Sequence, residues 1–199
     1  PDVDVRGFDG IVISGSPRSL VEPEAWMHSA AETVRRAATA GVPTLGVCFG
    51  HQLIAFAFGA RVRQNPNGWE VGTTEVELTD DGARDPLFTG MTRRMRVNQS
   101  HRDEVWELST QHRRLAVSSH TETQAIAVGE HVRGVQFHPE MNAKVVRRII
   151  EYRRSILEED LSCRGHCRSL LGRVVDGVSD TPDGERVLHN FVDHFVRAA

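Results

Sequence analysis

The chain has 199 residues, enough for one domain with a real core, and its 39% hydrophobic and 26% charged content is that of an ordinary globule. A net charge of -3, with basic residues scattered rather than gathered into a block, gives no electrostatic footprint for nucleic acid. No stretch reads as a membrane span or a signal peptide, and Cys48, Cys163 and Cys167 form no disulfide framework, so the expected setting is reducing and cytoplasmic, away from any membrane.

Phe8 to Ile13 predicts a short buried strand that runs into the turn-forming loop Ser14-Gly15-Ser16-Pro17. A loop after a parallel strand lies at the C-terminal edge of its sheet, where open α/β proteins keep their sites. Residues 23–40 predict a helix, with Trp26, Ala30, Val34, Ala37 and Ala38 at near-helical spacing and Gly41 ending it. Thr44 to Val47 is the next strand and the segment to Phe58 the next helix. This alternation predicts a layered α/β fold around a mostly parallel sheet. The pattern changes after Asn65-Pro66-Asn67-Gly68. Residues 71–78, 94–97, 105–108, 115–118 and 124–128 are short strand candidates between polar turns, which predicts small antiparallel strands beside the parallel core. Val132 to Phe137 is a further strand, stopped by Pro139. Residues 142–157 predict one amphipathic helix, 159–186 are less regular, and 187–196 predict a terminal helix packed through Val187, Leu188, Phe191, Val192 and Phe195. There is no internal repeat, and residues 1–199 read as a single domain whose part beyond 159 packs on the core. Trp26, Trp69 and Trp106 read as packing residues.

The chemistry centres on Gly46-Val47-Cys48-Phe49-Gly50. An apolar strand enters it and a helix leaves it, and the two glycines permit a sharp turn around one strained residue. Such a turn lifts the Cys48 sulfur above the sheet edge and aims a helix N-terminus, which favours negative charge, at it. An acyl-transfer nucleophile also needs a base and an oxyanion site. His138 ends a strand of the same layered pattern, and Glu140 follows at a spacing of two with Pro139 holding the segment extended, so both side chains are able to share one side. Glu140 then orients the imidazole. The oxyanion donors are backbone N–H groups, one from Phe49 and one from the loop at Gly15 or Ser16, between which the sequence does not choose. His51 reads as packing behind the turn, and His101 as lining a pocket. Cys163-Arg164-Gly165-His166-Cys167 falls short of a closed zinc set and reads as a surface turn. A dinucleotide fingerprint and a phosphate-binding Walker loop are both missing, so neither metal nor cofactor is expected.

Leu45-Gly46-Val47-Cys48-Phe49-Gly50-His51-Gln52, followed about 90 residues later by Gly134-Val135-Gln136-Phe137-His138-Pro139-Glu140, closely resembles the class I, triad-type glutamine amidotransferase family. Phe8 to Pro17 looks like its oxyanion strand and loop, Ser100-His101-Arg102-Asp103 like its Ser-His-x-Asp segment, and the tail through Asn190-Phe191, with Asn65 to Gly72, like its stand-alone GMP-synthase-like members. The resemblance implies the family fold, a flavodoxin-like three-layer α/β sandwich with a mostly parallel central sheet. It implies Cys48 as nucleophile, His138 as base and Glu140 as the orienting acid. It implies Gln52, Gln99, Ser100 and Asp103 as residues around the glutamine substrate. It implies hydrolysis of the glutamine side-chain amide to glutamate and ammonia, with ammonia passing to a synthase domain or partner subunit.

Two departures stand out. The family loop has Gly-Gly-Pro-Gly where this chain has Gly15-Ser16-Pro17-Arg18, which adds bulk and charge near the pocket. The family domain normally has a further strand before Phe8, expected to be missing from this sequence. A γ-glutamyl peptidase or hydrolase using the same three residues is the alternative reading, and a non-catalytic binding module that keeps the fold is the third.

Overall fold

The computed structural model describes residues 3–166 and 169–198. The first elements alternate as the sequence predicts: β1 (Ile11–Ile13), α1 (Ala25–Thr39), β2 (Thr44–Val47) and α2 (Phe49–Ala57). There follow β3 (Arg61–Gln64), β4 (Glu70–Leu78), a short α3 (Asp80–Arg84), β5 (Arg94–His101), β6 (Asp103–Glu107), β7 (His112–Val117), β8 (Ala125–Val128) and β9 (Val132–Val135). The remainder is helical: α4 (Ala143–Tyr152), α5 (Arg154–Cys163), α6 (Ser169–Gly177) and α7 (Pro182–Phe191), which runs on into a π turn at Val192–Val196.

One seven-stranded sheet has the order β1-β2-β9-β8-β7-β4-β5, and β3 pairs with β6 in a small antiparallel ribbon. The expected α/β sheet with helices on both faces is present. Its parallel part is β1, β2 and β9. The strands from β8 to β5 join the same sheet through antiparallel pairings, a larger share than the sequence pattern predicts.

Alternation along the strands sorts side chains into two apolar layers. Leu45 and Val47 of β2 and Val135 of β9 face Val187, Phe191 and Phe195 near the C-terminus. Ile126, Val128 and Val132 face the other way, onto Leu53 and Ile54 of α2, with Met27, Ala31 and Val34 of α1 beyond. Each fully buried Leu, Ile or Phe in these layers contributes about 1.5–3 kcal/mol. Between the layers, the parallel strands put their C-terminal ends, and the loops that follow, on one edge.

Four expectations need correction. β1 is not buried: it is the outer strand of the sheet, and Val12 is 59% exposed because a neighbour covers only one side. The helix predicted over 142–157 breaks at Arg153, whose φ of -95° and ψ of 8° belong to neither helix. The stretch 159–186 is largely helical. The last helix starts at Pro182 rather than 187, and Val192 lies outside its packed face. No helix among the described residues is long and apolar enough to cross a membrane.

Candidate functional site

The turn from β2 to α2 is shaped by close contact. Cys48 is the residue before α2 and, among the described residues, the only non-glycine with positive φ, at 52° with ψ of -105°. Its N–H donates to Val135 O of β9 at 2.9 Å, which ties the turn to the neighbouring strand. A Cβ added at Gly46 would come within 2.4 Å of the Gly50 carbonyl, and one at Gly50 within 2.1 Å of the Ile13 carbonyl of β1. The two glycines flanking Cys48 are therefore required by their neighbours. The first N–H groups of α2, Phe49 among them, have no intrahelical acceptor and begin at the residue next to Cys48.

His138 follows β9 and is buried, with its N–H on Asn98 O at 2.8 Å. Its Nδ1 lies 2.7 Å from Glu140 Oε1, and the other side of the ring neighbours the Cys48 side chain. Burial pushes this imidazole down, but the hydrogen bonds and charges of Cys48 and Glu140 outweigh it and raise it from 6.5 to about 9. Cys48, His138 and Glu140, predicted from segments about 90 residues apart, thus form one line.

Gly15 sits directly over this line: a Cβ there would meet His138 Cε1 at 3.0 Å and the Cys48 Cβ at 3.7 Å. Ser16 lines the adjoining cavity of about 200 Å³, and its hydroxyl accepts from the Arg18 N–H at 3.1 Å, closing the loop. Arg18 also lines the cavity, as its bulk and charge suggested, while pairing with Glu24 at 3.6 Å.

Of the other sequence-predicted residues, Gln52, Ser100 and Asp103 line the same cavity. The Gln52 side-chain amide donates to Asp103 O at 3.0 Å and Gln136 Oε1 at 3.1 Å, so only its own oxygen remains free to accept. Asp103 accepts the Ser19 hydroxyl at 2.5 Å, joining the loop after β1 to β6. Gln99 is a correction. It is fully buried and donates to Gln124 at 2.9 Å, away from the cavity wall.

Behind the cavity lies a buried polar chain. His101 lines the cavity, as expected, and its Nε2 is 3.0 Å from Glu70 Oε2 while Nδ1 is 3.0 Å from Asp103 O. Gln124 donates to the same Glu70 oxygen at 2.8 Å. Burial pushes the Glu70 carboxyl up, yet the His101 hydrogen bond and charge prevail and hold it below its usual 4.5. His51 packs behind the elbow as expected. It is wholly buried against Gly134, no hydrogen-bond partner reaches either ring nitrogen within normal geometry, and burial pushes it down to about 3, so it stays neutral.

Trp69 and Arg153 were not assigned to the site from the sequence. Trp69 is not simply a packing residue, because it forms part of the wall, and Arg153 lies over its ring at 5.0 Å from the centroid. Arg153 reaches the cavity because the chain bends there. The bend has neither glycine nor proline to announce it. No cluster of three metal-ligating side chains occurs among the described residues; Cys167 of the Cys-x-x-x-Cys turn lies outside them.

The family model for class-I glutamine amidotransferases matches residues 2–152, and the chain belongs to that family. It is 36% identical over 142 residues to one subunit of the glutamine-hydrolysing GMP synthase of Saccharolobus solfataricus, covering 71% of this chain and 72% of that one. It is 28% identical over 152 residues to gamma-glutamyl peptidase 5 of Arabidopsis thaliana, covering 75% of this chain and 61% of that one. Among solved structures, a glutamine amidotransferase from Thermotoga maritima superposes with a TM-score of 0.68 over 93% of this chain and 77% of its own, at 24% identity.

Proposed function

We propose that this chain hydrolyses the side-chain amide of glutamine through a thioester on Cys48, releasing glutamate and ammonia. The observation that carries the reading is the line from Cys48 through His138 to Glu140, at a cysteine forced into positive φ at a helix N-terminus. The raised imidazole supports a protonated His138 beside the Cys48 sulfur. The thiolate attacks the amide carbon, and the carbonyl oxygen takes the negative charge against N–H groups of Phe49 and of the Gly15–Ser16 loop. His138 gives its proton to the nitrogen as the C–N bond breaks, so ammonia leaves and a thioester remains. Neutral His138 then takes a proton from water, hydroxide adds to the thioester, and the Cys48 thiolate leaves as glutamate forms. Glu140 holds Nδ1 throughout and stabilises the imidazolium. Gln52, Ser100 and Asp103 surround the amino-acid end of the substrate; Gln99 supports that segment from behind. The similarity to a GMP synthase component supports a partner synthase as the ammonia acceptor.

The test is to incubate the protein and Cys48→Ala with glutamine and with γ-glutamyl peptides, measuring ammonia and glutamate. Cys48-dependent ammonia from glutamine, lost by about 10⁴-fold or more in the variant, is the expected result. Glutamate from the peptides with none from glutamine would overturn it in favour of a γ-glutamyl hydrolase, the activity named for the Arabidopsis relative. No turnover of either would return the chain to a binding role.

A further inference from the structure

The cavity beside Cys48 contains a cation that none of these steps uses. Arg153, at the bend between α4 and α5, donates from Nη1 to Ser100 Oγ at 2.7 Å and to the Ser100 carbonyl at 3.3 Å, and lies over Trp69. Both partners are uncharged, and among the described residues no carboxylate pairs with it. Its neighbour Arg154 shows the contrast, pairing with Glu151 and Glu158 on the outer surface. Arg153 and Cys48 line the same cavity, and burial pushes the guanidinium down by more than the charge of Cys48 raises it.

The rest of the wall does not neutralise it. Arg18, Arg102 and Arg153 line the cavity against a single acid, Asp103, whose carboxylate already accepts from Ser19. Arg18 points outward to Glu24 and Arg102 is exposed, so Arg153 is the half-buried one. A partly desolvated guanidinium held by neutral acceptors is costly unless an anion completes it. With Nη1 committed to Ser100, Nε and Nη2 remain as donors, two adjacent N–H groups in the fork that matches a carboxylate. The stacking on Trp69 and the hold on Ser100 fix the plane of that fork.

We propose that Arg153 receives a carboxylate of the substrate and makes the site selective for anionic γ-glutamyl compounds. This rests on the reading of Cys48 as the nucleophile. The carboxylate has two sources: the α-carboxylate of the glutamyl unit, or the C-terminal carboxylate of a γ-glutamyl peptide on the leaving side.

The first test needs no turnover. Iodoacetate and iodoacetamide alkylate the same thiolate and differ by one charge, so their rates at Cys48, read by peptide mass spectrometry, report an anion receptor beside the sulfur. Arg153→Gln is expected to slow iodoacetate about 10-fold or more, the scale of a charge-assisted hydrogen bond, with iodoacetamide unchanged within about 2-fold. Arg153→Lys restores part of the preference. If Arg153→Gln does not fold, as judged by circular dichroism, the wild type supplies the readout: acetate competes with iodoacetate at concentrations that leave iodoacetamide unaffected. Equal effects on both reagents, or none on either, overturn the proposal. The second test compares kcat/KM of wild type and Arg153→Gln on glutamine against its α-carboxamide, and on γ-glutamylglycine against γ-glutamylmethylamide. The pair in which the loss disappears with the carboxylate identifies the source. A reagent preference without any turnover keeps the receptor and sinks the hydrolase reading. Turnover that Arg153→Gln reduces alike for all four substrates keeps the hydrolase and sinks the receptor.

Discussion

On one side of the cavity, the turn from β2 to α2 is packed so closely that Gly46 and Gly50 leave no room for a methyl group, and Cys48 takes up the strain. On the other side, the ends of β4 and β5 are held by side-chain hydrogen bonds, with buried Glu70 accepting from His101 and Gln124 and the His101 ring joined to the carbonyl of Asp103. The first side places the attacking atom by shape, and shape tolerates almost no change. The second places the substrate-facing segment by polar contacts, which weaken by degrees and respond to pH. The nucleophile must sit within a few tenths of an ångström of its target, whereas the groups around the substrate have only to present the right donors and acceptors.

Breaking the contact side has the largest effect. Gly50→Ala puts a Cβ within 2.1 Å of the Ile13 carbonyl and 2.9 Å of its Cβ, both on β1. No rotamer relieves a backbone clash, so β1 or α2 must move. The expected outcome is a protein that fails to fold or loses more than about 4 kcal/mol by urea unfolding. A variant that folds with near-normal stability would show that the β2–α2 turn is not governed by contact.

That difference also explains what the sequence reveals. The contact side is contiguous: five residues carry the glycines, the cysteine and the strand-to-helix change, and the pattern is legible without the fold. His138 and Glu140 are legible too, because Pro139 marks the strand's end and fixes the spacing. The polar side is assembled from positions 70, 101, 103 and 124; His101 and Asp103 share one legible segment, but nothing local in it announces Glu70 or Gln124. Gln99 shows the cost: its segment is correctly placed beside the cavity, but its side chain depends on the phase of β5, which the apolar pattern of Met95 and Val97 sets against it. Arg153 shows the same for a helix. An unbroken amphipathic pattern runs through the bend, and its hold on Ser100 is a tertiary contact. β1 reads as buried because its residues are apolar, while its place at the sheet edge is a property of the strand order.

Breaking the polar side has a smaller, pH-dependent effect. Glu70→Gln keeps the shape and removes the charge that His101 and Gln124 address, at an expected cost of about 2 kcal/mol near neutral pH. The folded carboxyl lies below 4.5, so its contribution is present above that value and is lost as pH falls through the lower folded one. Wild type and variant should therefore differ most above pH 4.5 and converge as the solution becomes more acid. Urea unfolding across the acid-to-neutral range checks this, and a gap independent of pH would assign the loss to packing instead of charge.

The smallest effect lies where the two sides meet, at Glu140. Its side chain is 45% exposed, so solvent screens its charge, and it does not shape the fold as Gly50 does. Its part is in the titration of His138, which burial pushes down and which Cys48 and Glu140 together raise to about 9. A raised imidazole contributes stability that is complete below 6.5 and fades as pH rises through about 9, and the proton it gives to the leaving nitrogen disappears over the same range. The basic limb of kcat/KM is therefore expected near pH 9. Glu140→Gln preserves a hydrogen-bonding group but not the charge, so the limb should move to lower pH and kcat should fall about 10-fold, with stability nearly unchanged. A limb that stays at wild-type pH while kcat falls would mean that Glu140 orients the ring without tuning its proton, and would leave Cys48 to account for the raised imidazole alone.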